Sequence, residues 1–142
     1  MSSTDLLQKA IGLYNAGDLN GFVNEYAEDA VVVTPDGSAQ GRDAIRALWT
    51  REQTSFPDRT HTVKTAVEEG DTIATEFTWV ATNTGPWILS DGTQLPSTGK
   101  HLEITGMVLT TFRDGKMRSQ RMYWDNLAAA QQAGLLPAPA NP

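Results

Sequence analysis

The chain has 142 residues, of which 39% are hydrophobic, 20% charged and 8% aromatic, a composition that fits one folded domain with a core of its own and excludes a disordered chain. Its 17 acidic residues against 11 basic ones leave a net charge of -6, which repels phosphate backbones and anionic bilayers, so neither nucleic acid nor membrane is an expected partner. With no cysteine and only His61 and His101, disulfides, thiolate chemistry and a histidine-rich metal centre are not expected, and no metal or cofactor is predicted.

No apolar run approaches the ~20 residues needed to span a bilayer. Met1-Ser2-Ser3-Thr4-Asp5 lacks a basic n-region, so the reading predicts no secretory leader and a cytoplasmic setting.

A first helix is predicted from the spacing of Leu7, Ala10, Ile11 and Tyr14, capped by Ser3 or Thr4 and ended at Asn15-Ala16-Gly17. Asp18 caps a short second helix with Leu19, Phe22, Val23 and Tyr26 on one face. Ala30-Val31-Val32-Val33-Thr34 reads as a strand, ended by the turn Pro35-Asp36-Gly37-Ser38. A third helix from about Gly41 to Ser55 carries the stripe Ala44, Ile45, Leu48 and Trp49.

Beyond it, residues 60–69, 72–82, 102–113 and 116–124 read as strands rich in Thr, Val, Ile and aromatics. Glu69-Gly70-Asp71 and Arg113-Asp114-Gly115-Lys116 are hairpin turns. Between the middle strands, 83–99 is a long loop with Trp87, Ile88 and Leu89 among glycines and prolines. It is either a lid over a cavity or an extended hairpin on a dimer partner. A last helix follows Asp125, with Leu127 and Ala130 inward, and ends at Gly134. Residues 1–136 form one predicted domain, and the tail 137–142 is too proline-rich to fold.

Helices followed by a run of antiparallel strands mean α+β. A strongly twisted sheet curls, and helices laid on its concave face close a cone with an apolar interior. Alternation puts Gln120, Met122 and Trp124 on one strand face, and Val108 and Thr110 on a matching face next door. With Trp49 and Phe56 they make an aromatic-lined cavity or, on the plainer reading, simply the core. Glu76 falls on the outer face, and His61 and His101 read as surface histidines.

Tyr14-Asn15-Ala16-Gly17-Asp18-Leu19, Tyr26-Ala27-Glu28-Asp29-Ala30-Val31 and Gly41-Arg42-Asp43-Ala44-Ile45 resemble the opening of the nuclear transport factor 2-like superfamily. Pro96-Ser97-Thr98-Gly99-Lys100, Phe112-Arg113-Asp114-Gly115-Lys116-Met117, Tyr123-Trp124-Asp125 and Gln131-Gln132-Ala133-Gly134 resemble its SnoaL-like polyketide cyclase branch. The resemblance implies a cystatin-like α+β barrel: a cone-shaped, curved antiparallel sheet with three to four helices around a pocket, commonly a homodimer through the sheet. It fixes the fold more than the function.

Carried over residue by residue, most of the family's chemistry is missing. Where ketosteroid isomerases place a base aspartate and two oxyanion-hole donors, this chain has Thr34, Ala10 and Val108. Where the cyclases place an acid/base aspartate and its histidine, it has Met122 and Val108. Tyr14 matches an aromatic position lining the cyclase pocket.

The expected function is therefore acid/base chemistry, an aldol cyclisation or isomerisation, on an apolar cyclic or polyketide-like small molecule. Tyr14 is the candidate donor to a developing enolate, or a core aromatic. Asp125 is the candidate base, or the cap of the last helix. Gln120 orients a carbonyl or water. Trp49, Phe56, Trp87, Val108, Thr110, Met122 and Trp124 are the candidate ligand-binding residues. A non-catalytic binder of an apolar ligand is the alternative. An epoxide-type hydrolase is less expected: it needs a linked Asp-Arg-Asp set, no inward carboxylates are spaced for it, and Arg118, the one inward-parity arginine, lacks an evident partner.

Overall fold

The fold is seen in a computed structural model, which describes residues 1–139. The first helix, α1 (Ser3–Asn15), is capped by Ser2, one residue before the expected Ser3 or Thr4. Ser2 accepts from the Asp5 amide while the Asp5 carboxylate reaches back to the Ser2 amide, closing a capping box. Leu7, Ala10 and Tyr14 fall on its buried face. Asp18 caps α2 (Leu19–Asn24) by accepting from Gly21 at 2.9 Å.

Strand β1 (Tyr26–Thr34) begins four residues earlier than the apolar run suggests, and Tyr26 is its fully buried first residue rather than part of α2. A tight turn joins β1 to β2 (Gly37–Gln40), with Thr34 opposite Gly37. Helix α3 (Arg42–Ser55) buries Ile45 and Trp49; Ala44, expected on that stripe, is exposed. Strands β3 (Thr60–Glu69) and β4 (Thr72–Thr82) follow, then the miniature hairpin β5 (Trp87–Ile88) and β6 (Gln94–Leu95) inside the long loop. Then come β7 (His101–Arg113), β8 (Lys116–Trp124) and α4 (Asn126–Gln132). In α4, Leu127 is exposed, contrary to expectation, while Ala130 does face in. In the tail, residues 137–139 are exposed without regular structure, and 140–142 lie outside the described residues.

The main sheet has the order β2-β1-β8-β7-β4-β3. The architecture is the α+β arrangement expected, a curved sheet with four helices. One refinement stands out: β1 and β8 run parallel, so the sheet is mixed, whereas all its other neighbours are antiparallel.

Register sets the wall of the interior. Across β4, β7 and β8 the rows are Ile73–Thr110–Gln120, Thr75–Val108–Met122 and Phe77–Gly106–Trp124. Alternation sends these rows inward and the rows between them, such as Glu76–Met107–Tyr123, outward. Gly106 has a steric reason to be glycine. A Cβ there would sit 2.3 Å from the Tyr123 carbonyl oxygen and 2.9 Å from the Phe77 ring. Its absence lets Phe77 lie against β7.

The base of the long loop is bolted down. Asn83, fully buried, donates to the carbonyls of Ser55 (3.0 Å) and Gly85 (3.1 Å). It accepts from the Thr98 amide (2.8 Å) and hydroxyl (3.0 Å). Ser55 donates to the Pro86 carbonyl and accepts from the Ile88 amide. The contact is so close that a Cβ on Gly85 would fall 1.8 Å from the Thr54 carbonyl oxygen.

Candidate active site

Between the sheet and the helices lies a cavity of about 520 Å³. Its wall is mostly apolar, and all four tryptophans of the chain, Trp49, Trp79, Trp87 and Trp124, belong to it. The alternation reading holds for Gln120, Met122, Trp124 and Val108, which line it together with Tyr14, Phe56 and Trp87. Trp87 reaches it from the long loop, alongside Ile88, Leu89, Ser90 and Asp91, so the loop covers the cavity as a lid would.

Two expected site residues are not on that wall. Thr110 is fully buried behind it and accepts from Gln120 Nε2 at 3.2 Å. Asp125 is exposed and accepts from the Ala128 amide at 2.9 Å, which makes it the cap of α4 rather than a group facing the cavity. Gln120 does face the cavity, held from behind by Thr110 and by the Tyr26 hydroxyl, which donates to its Oε1. Each end of its amide keeps one hydrogen-bonding position free of these two contacts.

Three carboxylates line the cavity: Asp36 and Asp91 are exposed, and Glu52, on the turn of α3 after Trp49, is part-buried. Sequence reasoning passed it over, although Ile45, Trp49 and Glu52 follow helical spacing on the inward stripe. The Tyr14 hydroxyl donates to Glu52 Oε1 and accepts from Trp79 Nε1 at 2.8 Å. The buried Arg59, just beyond α3, places Nε 3.6 Å from the same oxygen and its guanidinium 4.6 Å from the Tyr14 ring centroid. It donates to the Tyr14 carbonyl at 3.2 Å. Arg118, the expected inward arginine, is exposed; Arg59 is buried and Arg51 lines the cavity.

Burial sets the electrostatics. The Glu52 side chain keeps 23% of its surface accessible and lines the cavity. Loss of solvation pushes its pKa up to about 7, against the lowering effects of the Tyr14 hydrogen bond and the Arg59 charge; the Asp36 charge pushes it further up. Burial, then the neighbouring Glu52, holds the Tyr14 phenol well above its ordinary range. A carboxyl poised near neutrality beside a phenol that stays protonated can both take and return a proton.

His61 lines the cavity instead of facing solvent, with its ring stacked on Phe77 at 4.6 Å between centroids. Burial depresses its pKa to about 4, so the imidazole is neutral. His101 is exposed, as expected, and Glu76 lies on the outer face. At the rim, Trp124 Nε1 donates to Asn126 Oδ1 at 3.1 Å, and Asn126 Nδ2 donates to Asp36 Oδ1 at 2.8 Å. Among the described residues, no group of three or more His, Asp or Glu side chains is arranged to hold a metal ion, and no helix is long and apolar enough to cross a membrane.

Comparison with known proteins agrees with the fold. AclR from Streptomyces galilaeus, a proposed hydroxylase, superposes with a TM-score of 0.81 at 24% identity, over 98% of this chain and 85% of that one. IdmH from Streptomyces antibioticus, a proposed polyketide cyclase, gives 0.77 at 28% identity, over 94% and 99%. A protein from Catenulispora acidiphila with a ketosteroid isomerase-like fold gives 0.76 at 18% identity, over 96% and 97%. No curated protein matches in sequence. The profile of SnoaL-like polyketide cyclases matches residues 4–133, and the chain belongs to that family.

Proposed function

We propose that this protein is a cofactor-independent enzyme that runs acid/base chemistry on an apolar cyclic or polyketide-like small molecule. The observation that carries the reading is the Glu52–Tyr14 pair, a carboxyl with a pKa near 7 bonded to a phenol in a mostly apolar cavity. Ionised Glu52 takes the proton from a carbon next to a carbonyl, and Tyr14 turns its hydroxyl to the enolate oxygen as the charge develops. In an isomerisation Glu52 returns the proton to another carbon. In an aldol closure the enolate carbon attacks a second carbonyl, whose oxygen takes the proton from Glu52. Gln120 orients the reacting carbonyl.

Glu52 replaces Asp125 in the role of base, because Asp125 is exposed and committed to a helix cap. The test is turnover of a panel of aromatic β-diketones, followed by mass spectrometry. Glu52→Gln is expected to lower kcat by about 100-fold or more, and Tyr14→Phe by at least about tenfold. Full turnover by Glu52→Gln overturns the reading.

One feature favours a non-catalytic binder: the positions where the cyclases carry acid/base groups are the apolar Val108 and Met122, both on the cavity wall. A binder returns every ligand unchanged. The cytoplasmic setting and a homodimer belong to the same proposal. For the dimer, Met107 and Tyr123 pair across β7 and β8 on the outer face, 52% and 60% exposed.

A further inference from the structure

We infer that His61 is a ligand-contacting residue whose neutral imidazole hydrogen-bonds an oxygen of the bound molecule. The ligand class is then an aromatic or polycyclic compound with a hydroxyl or carbonyl on the ring that faces β3. The inference deepens the reading above, since it rests on the cavity being the ligand site, but it does not need turnover.

Three observations converge. First, the ring is on the cavity wall, next to the polar pair: its centroid lies 6.1 Å from that of Tyr14, edge to face, and 4.6 Å from that of Phe77, stacked. Second, neither ring nitrogen has a hydrogen-bond partner among the described residues, whereas the main chain of the same residue is fully engaged. Asn15 donates from Nδ2 to the His61 carbonyl at 3.0 Å and accepts the His61 amide on Oδ1 at 2.8 Å. An imidazole left unmatched in an apolar wall is costly unless something in the cavity meets it. Third, the ring is held in place without using its polar atoms. Asn15 fixes the backbone, Phe77 stacks on one face, and the Tyr14 ring packs against the imidazole at a steep angle. Such a group is pre-arranged for an external partner.

The charge state sets the kind of partner. A neutral imidazole offers one donor and one acceptor. It suits a phenol, an enol or a carbonyl, and it has no charge with which to attract a carboxylate or a phosphate. A flat ligand that stacks among the tryptophans and bears one such oxygen near β3 meets His61 on that oxygen, with the Tyr14–Glu52 pair close by.

The test uses 2-naphthol and 2-methylnaphthalene, which differ by a methyl in place of the hydroxyl. Their affinities are measured by equilibrium dialysis against wild type and His61→Phe, which keeps the stack on Phe77. The variant is expected to weaken 2-naphthol about tenfold and 2-methylnaphthalene less than about twofold. In ¹⁵N-histidine-labelled wild type, which has only two histidines, 2-naphthol is expected to move the His61 ring signals and 2-methylnaphthalene to leave them in place. An unchanged 2-naphthol affinity in the variant, or unmoved His61 signals on saturation, overturns the inference while leaving the role of Glu52 standing. If wild type binds neither probe, the inference falls together with the ligand cavity itself.

Discussion

Arg59 stands 3.6 Å from Glu52 without closing a hydrogen bond to it. The guanidinium instead donates to the Tyr14 carbonyl and lies over the Tyr14 ring. The ion pair is loose enough that burial still dominates, and the Glu52 carboxyl stays at about 7 instead of dropping into the ordinary carboxylate range.

Removing the cation therefore has a signed consequence. Arg59→Met keeps a long apolar stem against Tyr14 but deletes the charge that favours ionised Glu52. The Glu52 titration midpoint, followed by carboxyl ¹³C NMR, is expected to rise above that of wild type. A midpoint that stays put or drops shows that Arg59 does not act on this carboxyl.

Glu52 and His61 pull stability in opposite directions with pH. Glu52 titrates at about 7 folded and 4.5 unfolded, so between these values the folded state binds the extra proton and stability falls as pH rises. His61 titrates at about 4 folded and 6.5 unfolded, so between those values the unfolded state binds the extra proton and stability rises with pH. Each amounts to at most about 3 kcal/mol across its window, and they nearly cancel between pH 4.5 and 6.5. Urea melts compared with wild type are expected to unmask each part. Glu52→Gln loses relative stability as pH drops from 7 towards 4.5, and His61→Phe gains it as pH drops from 6.5 towards 4. Parallel pH curves for the variants and wild type refute the assignment.

The Asn83 clasp gives a local test. Asn83→Ala removes two donated and two accepted hydrogen bonds at the base of the loop and leaves the Thr98 amide without its acceptor. The expected cost is about 2–3 kcal/mol in a urea melt, with faster proteolysis confined to residues 84–98. Unaltered proteolysis there means that the loop is held by its other contacts alone.

The dimer proposal is tested at Tyr123. Tyr123→Lys puts a charge on the exposed Met107–Tyr123 pair without touching the inner wall. Light scattering is expected to show a dimer for wild type and a monomer for the variant. A monomeric wild type ends the proposal.

Much of this arrangement was legible in the residues. Alternation gave the inward set Gln120, Met122 and Trp124 and the matching Val108 and Thr110, but the register between them was not legible from the Asp-Gly turn, because a shift in pairing between Thr111 and Phe112 separates the turn from these residues. The parallel pairing of β1 with β8 was not legible, because it joins segments far apart in sequence and leaves no local pattern. The start of β1 was hidden by Glu28-Asp29, which look like loop residues but sit where the pairing register shifts between Tyr26 and Val31. Glu52 escaped because an acidic residue on a helix is usually solvated, although its spacing from Trp49 marked the inward face. His61 escaped because β3 is an edge strand whose inward alternation is confined to its first residues, before the bulge between Val63 and Thr65, a run too short to mark a face.

The gathering of all four tryptophans around one cavity has an optical consequence. The indole emission of this protein, excited selectively over its tyrosines, originates wholly from side chains that line the cavity. Emission shift and quenching therefore report occupancy of that space, with no label to attach and no indole elsewhere to dilute the signal. A library of colourless candidates can be screened on the unmodified chain by the change in its own glow.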